Sequence, residues 1–200
     1  MTRISWMLLV FFFFWSLHSN AQKTDSLSRS SVRFSTENEL GALVLMRDKL
    51  SDEYQAKGKE WVFEFTSTNG ITYGRLFAGI GVGVRKWEDD FVLPLFFHAS
   101  CNLSKSENGL FLHTDLGNQF GTRRNNAFGD RETGNFYAAY GFGYYGALAK
   151  STKLYLKVSV CHQRAEALGP YTGLGPSTYP EPYLLNYLFF RVSLGVKFTK

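Results

Sequence analysis

Between Leu188 and Phe198 the chain alternates without a break. Leu188, Phe190, Val192, Leu194, Val196 and Phe198 put apolar side chains on one face, while Phe189, Arg191, Ser193, Gly195 and Lys197 put a mixed set on the other. Successive side chains of a strand point to opposite faces, so this period of two specifies a β-strand with two chemically different surfaces. A helix would scatter the same apolar residues around its circumference.

Seven further segments repeat the pattern with varying regularity. Trp61, Phe63 and Phe65 oppose Val62, Glu64 and Thr66; Leu76, Ala78, Ile80, Val82 and Val84 oppose Tyr73, Arg75, Phe77, Gly79, Gly81, Gly83 and Arg85. Phe91, Leu93, Leu95, Phe97, Ala99 and Cys101 oppose Val92, Pro94, Phe96, His98, Ser100 and Asn102. Leu110, Leu112, Thr114, Leu116 and Phe120 oppose Phe111, His113, Asp115, Gly117 and Gln119. Phe136, Ala138, Tyr140, Phe142 and Tyr144 oppose Tyr137, Ala139, Gly141, Gly143 and Tyr145, and Leu154 to Val160 alternates with Lys153 to Cys161. A first segment, around Glu39 to Met46, has ambiguous parity. Pro94 cannot donate to a strand ladder, so a bulge is expected there.

Most of these segments reach the roughly 9–11 residues that a tilted strand needs to cross hydrocarbon. One face is steadily apolar; the other mixes glycine, serine, tyrosine and isolated charges, as a polar lumen does. The expected fold is therefore all-β: an eight-stranded, antiparallel, up-and-down transmembrane barrel. With the N-terminus in the periplasm, the outer connections are Arg47–Glu60, Trp87–Asp90, Thr122–Thr133 and Ala165–Leu185. The inner ones are Asn69-Gly70, Ser104–Gly109 and Ala149–Thr152, giving short periplasmic turns and, apart from Trp87–Asp90, longer outer loops. Trp61, Phe91, Phe120 and Phe136 fall near the outer boundary, and Tyr144 and Phe198 near the inner one, as two aromatic girdles would.

The N-terminus agrees with export. Arg3 precedes an apolar run from Trp6 to Trp15, and Ser19-Asn20-Ala21 supplies the small residues that a signal peptidase reads. Residues 1–21 are expected to be a signal peptide, 22–38 a flexible periplasmic lead-in, and 39–200 the barrel. Lys+Arg of 22 against Asp+Glu of 17 is too mild an excess to suggest nucleic acid as a partner. Cys101 and Cys161 lie on strands of opposite parity, so they are not expected to pair, and no histidine has metal-ligand spacing around it. No metal or other cofactor is expected. Gly141 to Gly146 matches G-x-G-x-x-G literally, but another alternating strand follows it where a nucleotide fold needs a helix.

The cleavage site at Ser19-Asn20-Ala21-Gln22 and the final strand ending in Phe198 resemble those of small outer-membrane β-barrel proteins of Bacteroidota-type bacteria. The run Gly83-Val-Arg-Lys-Trp-Glu-Asp-Asp-Phe-Val-Leu-Pro-Leu-Phe-Phe is similar to a strand–short loop–strand pattern common in that group. Architecturally they resemble the OmpA transmembrane domain and OmpX. The resemblance implies a bacterial outer-membrane location and no chemistry. It also implies that Phe190, Val192, Leu194, Val196 and Phe198 form the signal read by the barrel-insertion machinery, although Thr199-Lys200 follow the last aromatic residue.

Three sets of residues are candidates for function. His98-Ala-Ser100, with Asn102 and Glu107 beyond, resembles the His-x-Ser-Asn segment of outer-membrane lipid A 3-O-deacylases. That resemblance implies His98 as base, Ser100 as nucleophile and Glu107 as the nearby acid. Cys101 displaces Asn102 by one position, and the register turns His98 and Ser100 into the lumen, away from acyl chains. The second set is the expected lumen charges: Glu64, Arg75, Arg85, His98, His113, Asp115, Lys157, Arg191 and Lys197. Eight strands leave an interior just filled by side chains, so these charges must pair into a plug; a proton or small-solute path is the alternative. The third set lies in the outer loops: Arg123, Arg124, Arg131, Tyr171, Tyr179 and Tyr183. Arginines there suit lipopolysaccharide phosphates, and exposed tyrosines suit an extracellular protein or glycan. The sequence thus reads as a monomeric, non-enzymatic barrel in contact with outer-membrane lipid and lipopolysaccharide, serving envelope structure or surface interaction, with the esterase and the narrow channel as alternatives.

Overall fold

A computed structural model describes residues 32–48, 61–87, 90–104, 108–121, 124–125, 131–168 and 182–200. They form strands β1 (Arg33–Asp48), β2 (Trp61–Tyr73), β3 (Leu76–Trp87), β4 (Asp90–Asn102), β5 (Gly109–Gly121), β6 (Arg124–Asn125), β7 (Arg131–Ala149), β8 (Thr152–Leu168) and β9 (Pro182–Thr199). β6 is two residues long and extends the ladder of β7. The other strands pair antiparallel with their chain neighbours, β5 with β7, and β1 with β9. The sheet is therefore a closed eight-stranded barrel, which leaves no strand edge unpaired.

Alternation decides which face each residue takes. Phe63, Ile80, Val82, Leu95, Phe97, Leu112, Leu116, Tyr140, Phe142, Leu156 and Leu194 are all exposed on the outside. Their opposite-parity neighbours are buried inside: Glu64, Phe96, His98, Phe111, His113, Asp115, Tyr155 and Ser193 among them. The shortest of the eight barrel strands has 12 residues, more than a tilted crossing of hydrocarbon requires. An outer surface this continuously apolar is stable only against lipid. Trp61, Phe91, Phe120 and Phe136 lie outward near one end of this belt, and Phe34, Tyr73 and Tyr144 near the other. Phe198 keeps outward parity but is only 5 % exposed, so it is not part of the exposed girdle at its end.

The start of β1 and the C-terminal residues share one end of the barrel, the terminus end, where Ser35 faces Thr199. The connections at that end are short: Gly74-Arg75, the Leu103–Asn108 segment and Lys150-Ser151. The first corrects the expected turn at Asn69-Gly70. Those two residues instead pair with Ile80 and Gly79 inside the ladder, and the strand runs on to Tyr73. The chain reverses where Gly74 takes φ +58, a left-handed conformation that glycine adopts without strain. Asn-Gly is a strong turn signal, but three further ladder pairs, Ile71 with Ala78, Thr72 with Phe77 and Tyr73 with Leu76, override it. Further differences are of extent: β1 starts at Arg33, inside the expected lead-in, and β8 and β9 reach into the expected last loop.

Pro94 produces no bulge. The β3–β4 pairing lapses between Val82↔Leu95 and Arg85↔Val92 and resumes in the same register. The ring is buried beside Gly83, where a Cβ would stand 3.2 Å from Pro94 Cγ. A missing N–H is thus absorbed by a local gap in the ladder, and no residue is inserted. Register shifts occur elsewhere, at Leu45/Arg47 and at two places between β7 and β8.

Gly195 faces the lumen, and a Cβ there would collide with the Tyr155 ring, whereas Gly146 has open space on every side. Gly195→Val is expected to destabilise the barrel by about 1–3 kcal/mol through overpacking. Gly146→Ala should leave stability within about 0.5 kcal/mol. Urea unfolding in lipid vesicles, followed by tryptophan fluorescence, reads both; equal effects would contradict this packing.

Candidate functional site: the charged lumen

The alternating face encloses a column of polar side chains, and the strand register makes its first pairs. Glu64 faces Arg85 across β2 and β3; Arg85 Nη2 and Nε donate to Glu64 Oε2 at 2.8 and 3.1 Å. His98 faces Asp115 across β4 and β5, with Nδ1 2.5 Å from Oδ1. Glu37 faces Lys197 across β1 and β9, at 3.1 Å. Ser159 faces Arg191 across β8 and β9 and accepts from its Nε at 2.9 Å. Directly opposite residues on neighbouring strands are the closest side-chain neighbours a sheet provides, so these pairs follow from register alone.

A second set of contacts spans the bore. Arg191 Nη1 donates to Glu64 Oε1 at 3.0 Å and to the Tyr137 hydroxyl at 2.8 Å. Its Nη2 donates to Asp115 Oδ2 at 3.0 Å and lies 3.7 Å from Glu39 Oε1. Arg85 Nη1 donates to Gln163 Oε1 at 2.9 Å and Gln119 Oε1 at 3.3 Å, and its guanidinium lies 5.1 Å from the Tyr137 ring centre. Lys157 pairs with Glu39, which also accepts from the Tyr155 hydroxyl at 3.2 Å. Glu37 accepts from the Tyr145 hydroxyl at 2.9 Å. His98 Nε2 lies 3.6 Å from Glu37 Oε2, which joins these contacts into one network from Gln163 to Lys197.

The charges balance. Among the described residues the lumen buries Glu37, Glu39, Glu64 and Asp115 against Arg85, Lys157, Arg191 and Lys197. Toward the terminus end an aromatic cluster adds to the filling: Phe111 stacks on Tyr145 at 4.0 Å, and Tyr155 meets both rings edge-on. Lys197 Nζ lies 3.8 Å from the centre of the Phe77 ring. On the other side of the charges Leu43, Val62, Phe96, Tyr137, Tyr187 and Phe189 form an apolar cluster.

The expected lumen residues Glu64, Arg85, His98, His113, Asp115, Lys157, Arg191 and Lys197 are all buried inside. Arg75 is not: it stands exposed in the β2–β3 turn, because the strand outlasts Asn69-Gly70. Glu37 and Glu39 are lumen residues outside the expected set, the first lying in the expected lead-in and the second in the strand of ambiguous parity. A signal for them existed. The expected set held five bases (Arg75, Arg85, Lys157, Arg191, Lys197) against two acids (Glu64, Asp115), an imbalance no buried site sustains. Ser35, Glu37, Glu39 and Gly41 continue the inward period of two.

His98 and Ser100 are both buried on the inner face. The Nδ1 of His98 is engaged by Asp115, and Glu107 lies outside the described residues. A histidine held by a carboxylate matches half of a nucleophile-activating device, but no acyl chain reaches this serine from the outer surface. The register also gathers donors of His98, His113 and Asp115 within 4.8 Å of one another, a proximity their sequence spacing hides. Both Asp115 oxygens are committed, to His98 and Arg191, whereas His98 Nε2 and both ring nitrogens of His113 are buried without a hydrogen-bond partner among the described residues. Gly141 and Gly143 lie inside β7, which runs into β8 through a two-residue turn with no helix. Cys101 and Cys161 are both free.

Of the expected loop residues, Arg123, Tyr171 and Tyr179 lie outside the described residues. Arg124, Arg131 and Tyr183 fall in β6, β7 and β9, with nothing described of their side chains. Of the expected insertion signal, Phe190, Val192 and Leu194 are exposed on the outer surface, Val196 is partly exposed, and Phe198 is buried.

No protein-family model matches the chain, and no curated protein matches it by sequence. Among solved structures it is similar to the outer membrane protein AlkL, with a TM-score of 0.56 and 14 % identity over 90 % of this chain and 95 % of that one. It is also similar to Neisserial surface protein A, with a TM-score of 0.54 and 11 % identity over 84 % and 98 %. At these identities the likeness is one of fold.

Glu64 serves two buried guanidinium groups at once, so Glu64→Ala is expected to cost about 3–5 kcal/mol of unfolding free energy. Arg85→Ala should fall in the same range, and the double variant should cost less than the sum of the two. Additive costs in vesicle-based urea unfolding would show that the pair is not coupled.

Proposed function

We propose that this chain is an integral outer-membrane β-barrel of the small Bacteroidota type, exported by its N-terminal signal peptide and without enzymatic activity. It serves envelope structure or surface interaction, with its termini in the periplasm and its longer connections outside. The observation that carries this reading is the pairing of an apolar outer belt with a lumen filled by balanced, mutually bonded charges. Such an interior supports a rigid plug and argues against a solute path. The fold likeness to AlkL and to Neisserial surface protein A, one an outer membrane protein and the other a surface protein by name, supports the location. Burial of Ser100 inside the barrel counts against lipid A deacylation.

The rim away from the termini is where a partner would be met, through loop residues such as Arg123, Tyr171 and Tyr179, with lipopolysaccharide, a protein or a glycan as ligand. The outward residues of β9, from Phe190 to Val196, suit recognition by the insertion machinery. Purified barrel in planar bilayers is expected to show no stepwise conductance; reproducible steps would overturn the plugged reading. Incubation with lipopolysaccharide should release no fatty acid, and release abolished by Ser100→Ala would overturn the non-enzymatic one. Recovery of the chain in the inner membrane or periplasm of its host would overturn the location.

A further inference from the structure

The end of the barrel that carries the termini is ringed with positive charge. Arg33 begins β1, Arg75 lies in the β2–β3 turn, Lys150 lies in the β7–β8 turn, and Lys200 follows β9; all four side chains are exposed. Among the described residues, exposed bases therefore occur at the start of β1, in two of the three short connections and after β9. Every acid whose side chain is described, namely Glu37, Glu39, Glu64 and Asp115, is buried in the lumen and neutralised there.

The ring lies at the edge of the apolar belt. In the two turns, Arg75 stands between Tyr73 and Leu76 and Lys150 between Leu148 and Leu154, all of these neighbours exposed, while Arg33 lies at the mouth beside Phe34. Backbone hydrogen bonds hold the rim in shape: Asn102 N donates to Arg75 O, Thr199 N to Ser151 O, and Lys200 N to Phe34 O, each at 2.9 Å. Cationic groups one or two residues from hydrocarbon-facing side chains are at headgroup depth, where long basic side chains reach up to phosphate.

We propose that this ring binds the phosphodiester headgroups of anionic phospholipid, such as phosphatidylglycerol, in the leaflet at the terminus end. The assignment rests on the membrane-barrel reading above and adds to it a lipid class, a leaflet and the residues that make the contact. Its depth favours lipid over a wall polymer beyond the membrane surface.

The test uses the full-length mature barrel reconstituted in phosphatidylcholine vesicles that carry spin-labelled phosphatidylglycerol or spin-labelled phosphatidylcholine. At low salt the labelled phosphatidylglycerol is expected to associate at least threefold more strongly with the protein. The preference should fall toward onefold in 1 M salt and in an Arg75→Gln/Lys150→Gln/Lys200→Gln variant. A control variant at the opposite end, Lys86→Gln/Arg164→Gln, should keep it. Equal association of the two lipids at low salt, or a preference that survives the triple substitution, would overturn the proposal. Equal loss in the control would overturn its assignment to this end. Soluble glycerol phosphate should not compete at millimolar concentration; full competition would show a site for free phosphate in place of a lipid surface. Heat-modifiable mobility on gels reports insertion separately. A barrel that inserts without lipid preference refutes the ring alone, whereas a chain that does not insert refutes the membrane reading itself. If the triple variant fails to insert, the salt titration of the wild-type protein decides the outcome.

Discussion

Arg191 is about 1 % exposed inside a tube whose outer surface is hydrocarbon-like, so its charge must be met from within. Its three guanidinium nitrogens reach Glu64, Asp115, Tyr137 and Ser159, on four strands other than its own. Glu64 in turn holds Arg85, and Asp115 holds His98. Removing any member leaves a buried charge or dipole uncompensated, which ties opposite walls of the barrel together electrostatically. The backbone ladder closes the cylinder; this network sets what can occupy it.

The remaining lumen residues conform to that constraint. Glycines stand where large rings need room, as Gly195 does against Tyr155, and Tyr145 and Tyr155 donate their hydroxyls to carboxylates while Tyr137 accepts from Arg191. Both ends of the charge column adjoin aromatic or aliphatic clusters. A low-dielectric setting strengthens paired charges and penalises unpaired ones, so the same filling that excludes solvent stabilises the network. Stability and a filled bore are here two consequences of one arrangement.

The fold was legible residue by residue because alternation assigns a face without reference to any partner. Leu188 to Leu194 and Phe136 to Tyr144 illustrate this: their faces follow from parity, and the structure keeps them. Expectation and structure part where local and tertiary preferences conflict. Asn69-Gly70 has the chemistry of a turn, yet the neighbouring strand continues past it, which moves the reversal to Gly74 and puts Arg75 outside. Pro94 lacks a donor, yet the barrel tolerates a gap in one ladder more readily than an extra residue. Glu37 sits in a polar stretch that reads as a tail and Glu39 in a segment of ambiguous parity, and pairing with β2 and β9 is what makes both part of one inward-facing strand.

By itself the sequence determined the strand period, the two faces, the apolar belt and the identity of most lumen charges, since each depends only on spacing along the chain. Cross-strand pairs such as Glu64 with Arg85 needed the register in addition, because a slip of one residue exchanges the faces. The contacts that join opposite walls, Arg191 with Glu64 and with Asp115, were decided by the tertiary structure alone. Those partners lie on strands that share no ladder with β9, and closing the barrel is what brings them within reach of one guanidinium.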